Sequence, residues 1–462
     1  MKDKEIIYNL LEEFKVFKLE TAKIIIGLQN EVKELKEKLS KYENPKNSKN
    51  SSIPPTQDPN RKTISSRKKS SKKVGGQEGH KGSKLTKSNH PTKIILHDVT
   101  ECSCCKTTLR DVKGEIKSRQ IFDIPKIEIE VTEHRIVAKR CTNCGKKNKT
   151  AFPKGLVQEA QYGNNIKAFS TYLQNYQMLP YARTSELIYD LTNHKISVGS
   201  LANFQKDLHA KLEVFERKTI DQLLQSGVLH ADETGIRQNG NSHWMHVLSN
   251  QVLSFFGYHS KRGKEAINAF NIIPLYKGNL VHDRFSTYFS YSCQHSLCNA
   301  HILRELLYFW ETTQNKWTKD LMNLFKNLNH RKKNGYKFSL ENYENILKRF
   351  ETIIKPTIEK YDKVYTKTKE ERLAFALEKH KHLFLKFVKV EEVPFDNNQA
   401  ERDLRMIKVK QKISGCFREP DYATYFARVR SYISTLKKNE QDILLNIQNA
   451  FIKKHFFPVL AE

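Results

Sequence analysis

Val228-Leu229-His230-Ala231-Asp232 is an apolar run that ends in a carboxylate. Two more strand-like stretches follow it, Trp244-Met245-His246-Val247-Leu248-Ser249 and Val252-Leu253-Ser254-Phe255-Phe256-Gly257-Tyr258. A turn centred on Gly240 and another at Asn250-Gln251 separate them, so the three predict an antiparallel meander. A helix is expected over residues 264–270. Asn279-Leu280-Val281-His282-Asp283 is then a second apolar run ending in Asp.

Two strands that each end in Asp suggest metal-assisted phosphoryl chemistry, because Mg²⁺ is hard and prefers carboxylate and water oxygens. Adjacent strands lie roughly 5 Å apart, so the two carboxylates can converge on a pair of ions. The third carboxylate must come from elsewhere. Glu401 is the candidate, within Asp396-Asn397-Asn398-Gln399-Ala400-Glu401-Arg402-Asp403-Leu404-Arg405. Asp396 can cap a helix there, with Glu401 and Arg405 one turn apart on one face. Asp396 or Asp403 could replace Glu401, and Glu233 could replace Asp232, although Glu233 would face the other way if the strand continued. An Asp at a strand end is also an ordinary turn residue. The meander, helix and further strand fit a ribonuclease-H-like sheet.

Outward from this core, residues 302–390 and 396–452 read as helical. On the N-terminal side, residues 181–191 and 198–209 read as two helices around a turn, with Ser197 or Ser200 as the cap of the second. That is a candidate helix-turn-helix, in a pattern that many helical domains share. Residues 95–155 show strand-like alternation, as in Lys126-Ile127-Glu128-Ile129-Glu130-Val131. Within them, Cys102-x-x-Cys105 and Cys141-x-x-Cys144 offer four thiolates for one structural Zn²⁺ in a zinc ribbon, with Gly145 suited to a tight knuckle. Cys104 is an ambiguous neighbour. The alternative, a pair of redox dithiols, lacks a surrounding βαβ pattern. Cys298 and His301, with Cys293 and His295 nearby, could form a second metal site or be buried core; His301 could also position a phosphate or carboxylate.

Residues 44–90 hold twelve Lys or Arg and two acidic residues among many Ser, Asn, Pro and Gly. They predict a disordered basic arm, densest at Arg67, Lys68, Lys69, Lys72 and Lys73, which would bind DNA by counterion release. The alternative is a plain solvated linker. Residues 1–42 carry a heptad seam, Ile7, Leu11, Phe14, Lys18, Thr21, Ile25, Leu28, Val32, Leu35 and Leu39. It predicts a coiled-coil arm for self-association, or else an amphipathic helix folded back onto the body.

The whole chain, 462 residues with a formal net charge of +29, suggests a polyanionic partner, with nucleic acid first. No run of about 18 apolar residues suggests a membrane span. No signal peptide is visible, so the chain is expected in the cytoplasm, where cysteines serve as ligands or buried thiols. Gly75-Gly76-Gln77-Glu78-Gly79-His80-Lys81-Gly82 has the wrong spacing for a phosphate-binding loop, so an ATPase is not indicated.

Taken in order, these features resemble the DDE-type transposases of the insertion-sequence-66 family. The likeness runs over nearly the whole chain: the coiled coil, the Lys/Ser-rich segment with its Gly-Gly-Gln-Glu-Gly-His-Lys-Gly, the cysteine pairs, Leu179-Pro180-Tyr181-Ala182-Arg183, and the core. Within the core, His230-Ala231-Asp232-Glu233-Thr234, His282-Asp283, Cys298-Asn299-Ala300-His301 and Asp396-Asn397-Asn398-x-x-Glu401-Arg402 are similar to the family's motifs. The resemblance implies that Asp232, Asp283 and Glu401 bind two Mg²⁺ (or Mn²⁺) and cut and rejoin double-stranded DNA at element ends and target. Arg402 and Arg405 would contact phosphates. It implies a multidomain α+β chain: coiled coil 1–42, basic arm 43–92, zinc ribbon 93–155, helix-turn-helix domain 156–222, ribonuclease-H-like core 223–301, helical insertion 302–390, and Glu helix with C-terminal helices 391–462. A homo-oligomer, a bacterial nucleoid-associated setting and element-encoded accessory proteins are further expectations. The rival is a non-catalytic zinc-containing DNA-binding regulator. Three segments depart from the usual pattern: Arg284-Phe285-Ser286 stands where Gly and an aromatic are usual, Arg304-Glu305-Leu306 replaces a more basic run, and Lys410-Gln411-Lys412-Ile413-Ser414-Gly415 replaces the segment after Arg405.

Overall fold

The computed structural model describes residues 2–43, 47, 82, 84–362 and 367–458. The arm residues Arg67, Lys68, Lys69, Lys72 and Lys73 lie outside the described residues, as does most of the glycine-rich stretch after them. The chain divides into two compact units, Lys62–Thr132 with Asp190–His194, and the remainder.

In the smaller unit, a single bridge, Glu101 to Thr108, is the β-pairing among the described residues. The alternating stretch Lys126–Val131 forms no strand. Alternation needs a pairing partner and a face to cover, and here Ile127 and Val131 both stand exposed.

The larger unit begins with α1 (Lys2–Glu43), a single continuous helix. Its apolar seam residues with described side chains, Phe14, Ile25, Leu28, Val32, Leu35 and Leu39, are exposed, and Thr21 is half-buried. At these described positions the helix does not bury its apolar seam by folding back. A short hairpin follows, β1 (Ala138–Arg140) against β2 (Lys147–Lys149). Next come α2 (Asn164–Asn175), α3 (Tyr181–Thr192), α4 (Val198–Lys211) and α5 (Glu213–Leu224). Ser197 caps α4, its Oγ accepting the Ser200 N–H at 3.0 Å. Ser185 Oγ donates to the Ile196 carbonyl at 2.6 Å and pins the turn between α3 and α4.

The core sheet has five strands in the order β5-β4-β3-β6-β7: β3 (Val228–Gln238), β4 (Asn241–Ser249), β5 (Ser254–His259), β6 (Asn279–His282) and β7 (Gln294–Leu297). β3, β4 and β5 form the expected antiparallel meander, while β6 and β7 run parallel to β3. Asn239 and Gly240 both have positive φ (46° and 80°), the two-residue turn that matches strand twist. Between β5 and β6 lies α6 (Lys264–Phe270), and between β6 and β7 a 3₁₀ turn (Ser286–Ser290). The sequence reading missed both β7 and this turn. β7 spans only four residues, too few to show a period.

The helical insertion runs through α7 (Asn299–Thr313), α8 (Lys316–Lys333), α9 (Leu340–Tyr361), α10 (Lys369–Lys379), α11 (Lys381–Phe384) and α12 (Lys386–Lys389). It has its own core around Leu321, Phe325, Phe350 and Phe384. The chain returns through α13 (Asn398–Ser414), α14 (Pro420–Lys438) and α15 (Ile443–Phe451). Helices α13 and α14 cover one face of the sheet, packing Ala400, Leu404 and Phe426 on Ile236, Met245 and Val247. On the other face, Leu223 and Ile267 meet Leu229, Ala231 and Phe255. Helices α2, α4 and α5 share a further core with α14 and α15, through Leu208, Phe215, Tyr432 and Phe451.

Candidate active site

Asp232 does not end its strand as the sequence reading expects: β3 continues six residues further, to Gln238. The ladder with β4 carries it on, pairing Asp232 with Val247 and Gln238 with Asn241. Side chains alternate along a strand, so Asp232 shares the α13 face with Ile236 while Glu233 points to the opposite side. Glu233 is satisfied there. It accepts from Arg262 Nε at 2.8 Å and from the Tyr288 hydroxyl at 2.7 Å. Glu233 is thus committed to its own network and does not substitute for Asp232.

Burial, first, and the charges of Glu233, Asp283 and Glu401 push the Asp232 carboxyl well above the usual carboxylate range. Glu401 is raised too, by burial and by Asp396 and Asp283, against the opposing pull of Arg304 and Arg405. Asp232 on β3 and Glu401 on α13 thus both feel the charge of Asp283, which follows β6. The sequence reading expects these three to converge, and the charges of Asp283 and Glu401 both reach Asp232.

Asp283 directly follows β6, and its Oδ1 accepts the Phe285 N–H at 3.0 Å. Between them Arg284 takes a left-handed backbone, φ 71°. A non-glycine residue there is disfavoured by about 1–2 kcal/mol. Its guanidinium meets Glu305 at 2.5 Å. Two of the departures noted in the sequence, Arg284 and Glu305, therefore pair with each other.

Asn397 holds Glu401 in place, a role the sequence reading did not give it. Its Nδ2 donates to the Ala231 carbonyl at 2.8 Å, and its Oδ1 accepts from His230 Nδ1 at 2.8 Å. Its own N–H donates to Cys298 Sγ at 3.1 Å. One buried amide thus ties the start of α13 to β3 and to the start of α7. Asp396 contributes by accepting the Asn398 N–H at 3.1 Å, while Asn397 occupies the cap position. The only hint in the sequence was the Asx-rich run itself. Asp403 is excluded as a third ligand, because it forms a buried ion pair with Lys438 at 2.8 Å and bonds Ser254 and Ser434.

Beside Glu401 stand His301, with Nδ1 3.9 Å from Glu401 Oε1, and Arg304 at 3.5 Å. Among the described residues, Cys298, His301 and Glu401 form the group of three potential ligand atoms all within 4.8 Å of one another. Burial pushes the Cys298 thiol up to about 12, and burial with Arg304 lowers His301 to about 4. Cys298 is a packed thiol that accepts from Asn397, so we read it as architectural. The buried His301 Nδ1 and Glu401 Oε1 have no hydrogen-bond partner. Crowded, partly buried acidic groups, with a Glu401 oxygen that makes no hydrogen bond and meets Arg304 at 3.5 Å, are a donor set that fits a divalent cation.

Arg402 and Arg405 are exposed on α13; Arg402 donates to Gln399 Oε1 at 3.0 Å. Cys293 is buried, and His295 Nδ1 lies 3.2 Å from His282 Nε2.

The two cysteine pairs fold into the same kind of turn, each within its own unit. In one, the Cys102 N–H donates to the Thr107 carbonyl at 2.9 Å and the Lys106 N–H to the Cys102 carbonyl at 3.1 Å. In the other, Cys141 donates to Lys146 at 2.9 Å and Gly145 to Cys141 at 3.0 Å. The fourth residue after the first cysteine has positive φ in both, Lys106 at 60° and Gly145 at 70°. Hydrogen bonds from Thr107 lower the Cys105 thiol to about 7, and those from Cys144 and Asn143 lower Cys141. Backbone turns that stabilise thiolate are what a metal knuckle requires.

Comparison with protein families gives three matches. The Transposase IS66 family matches residues 159–425, from α2 through the Glu401 helix into α14. The zinc-finger binding domain of transposase IS66 matches residues 100–145, across both cysteine pairs. A family of unknown function, DUF6444, matches residues 9–86. No curated protein matches the chain. More than half of the sequence lies inside the first match, on the segments that carry Asp232, Asp283 and Glu401, and the chain belongs to the IS66 family of transposases.

Proposed function

We propose that this transposase cleaves DNA at the terminal inverted repeats of its element and joins the freed ends to target DNA. Asp232, Asp283 and Glu401 are the catalytic carboxylates and hold two Mg²⁺ (or Mn²⁺). The observation that carries this reading is that Asp232 and Glu401, on separate chain segments, are both raised, first by burial and then by neighbouring charges that in both cases include Asp283. The ribonuclease-H-like assignment is supported by a three-strand meander joined to two parallel strands. Two divalent ions bound there would activate the attacking oxygen and stabilise the leaving one.

The chain's own residues prepare that chemistry. Asn397 fixes the start of α13 against β3, which sets Glu401 toward Asp232. His301, neutral through burial, offers a lone pair or a proton beside Glu401 and orients the carboxylate or a phosphate oxygen. Arg402 and Arg405 lie exposed on the same helix and suit the phosphate backbone.

Elsewhere, Cys102, Cys105, Cys141 and Cys144 are the ligands of one structural Zn²⁺, supported by the matching turns of the two pairs. The pair α3–α4 serves as a helix-turn-helix, and α1 joins protomers through its exposed seam. The basic arm adds affinity without sequence information.

The test is Mg²⁺-dependent cleavage and strand transfer on oligonucleotides that carry the element ends. Full activity in Asp232→Asn would overturn the assignment. Salt-sensitive binding with no cleavage in any divalent ion would instead leave a DNA-binding regulator.

A further inference from the structure

A cavity of about 690 Å³ opens beside Asp283, walled by Arg284 and Phe285 on one side and by Lys379 and His380 of the insertion on another. Phe289 forms part of its lining and stacks on His380, ring centroids 4.9 Å apart and 18° from parallel. The volume falls within the range of ligand pockets, about 300–1,000 Å³. The surroundings combine cationic side chains with half-buried aromatic rings, the chemistry that holds an unpaired nucleotide. A base in a duplex offers no free face to such a ring until it leaves the stack.

We propose that this pocket takes one unstacked nucleotide of the DNA strand at the active site, with its base against Phe289 and its phosphate against Arg284 and Lys379, while Arg262 covers the Phe285 ring at 4.3 Å. The backbone at Arg284 supports the choice of ligand. A left-handed φ of 71° suits glycine, yet the position carries a long cation that lines the pocket. Such an outlier points to a role for the side chain. Glu305 engages this guanidinium at 2.5 Å and holds it at the pocket wall. The inference deepens the transposase reading and rests on it for the identity of the strand.

The test compares full-length protein binding to duplexes with a one-nucleotide bulge and to matched duplexes whose bulge is abasic, in EDTA. Phosphate charge is the same in both, so the contribution of the basic arm cancels. We expect the intact bulge to bind about ten-fold tighter. Phe289→Leu, which keeps apolar bulk but removes the ring, should bring the ratio to about one. Arg284→Gly, suited to the backbone, should keep a cooperative melt, weaken binding and lower the salt dependence by about one released counterion. Glu305→Gln should retain or strengthen binding, whereas a merely structural Arg284–Glu305 pair would give both variants the same loss.

Equal affinity for intact and abasic bulges in the parent, or a ratio that Phe289→Leu leaves unchanged, would overturn the proposal. So would free deoxythymidine monophosphate competing as well as the bulged strand, which would mark a mononucleotide site. No step in this assay requires cleavage. A protein that discriminates the bulge but never cuts would sink the catalytic reading alone.

Discussion

Asp232 is placed where its charge is unwelcome in the absence of a cation. Its pKa is raised by burial and by neighbouring carboxylates. Asp232→Asn removes that repulsion, so the variant should melt higher than the parent in EDTA at neutral pH, as thermal denaturation would report. The same change should reduce Mg²⁺-dependent cleavage by more than the roughly 10–100-fold typical of losing an outer-shell partner. A variant that melts lower than the parent would contradict the crowding. Asn397→Ala strands the buried Ala231 carbonyl and His230 Nδ1, which should lower stability by about 1–3 kcal/mol in urea titrations. It should also slow cleavage, since Glu401 loses its tether to β3. At this scale the acidic residues were legible in the sequence, because carboxylates after apolar runs are a chemical signal. Asn397 was not, because its partners His230, Ala231 and Cys298 lie on two segments far from it in the chain. Arg284 was visible as a departure, but its left-handed backbone becomes apparent only with coordinates.

The helices were read well wherever a period or a cap marked them. The Ser197 cap and the α3–α4 turn fall where expected, and the Gly240 turn closes β3 and β4. Two errors share a cause: strand character was inferred from one segment alone. Lys126–Val131 alternates but has no strand beside it, and β3 runs past Asp232 because β4 is there to pair with it. Among the helices, α1 makes the clearest demand. Its apolar seam residues are exposed where their side chains are described, and Val32→Asp with Leu35→Asp should abolish self-association in sedimentation experiments. The melting of the catalytic core should stay unchanged, since these positions are exposed. Association that survives both changes would place the interface elsewhere. In the cysteine turns, Cys141→Ser should release the zinc measured by elemental analysis and raise proteolysis within residues 100–145.

For the molecule as a whole, the buried ionisable groups set a pH profile. His246 is lowered to about 4, His282 to about 3 and His301 to about 4, all mainly by burial. A folded-state pKa below the unfolded value means that stability is present above about 6.5 and is lost as pH falls through those values. Asp232, Glu233 and Glu401 are raised, again first by burial. Their contribution is present below an unfolded pKa of about 4 and is lost as pH rises through the folded values. Mg²⁺ offsets only the carboxylate loss. The gain in melting temperature on adding Mg²⁺ should therefore grow between pH 5.5 and pH 8. A gain independent of pH would mean that the ion binds elsewhere.

The two-residue reversal at Asn239-Gly240 acts as a vernier for the chemistry. It fixes which of two adjacent acids looks toward α13, and a slip of one position would exchange them. An insertion of a single amino acid between Glu233 and Asn239 would leave a sheet that still forms, with the glutamate moved onto the α13 face and the aspartate turned to the opposite one. Lineages of this enzyme should therefore vary freely in the insertion's loops while tolerating no length change between Val228 and Ser249.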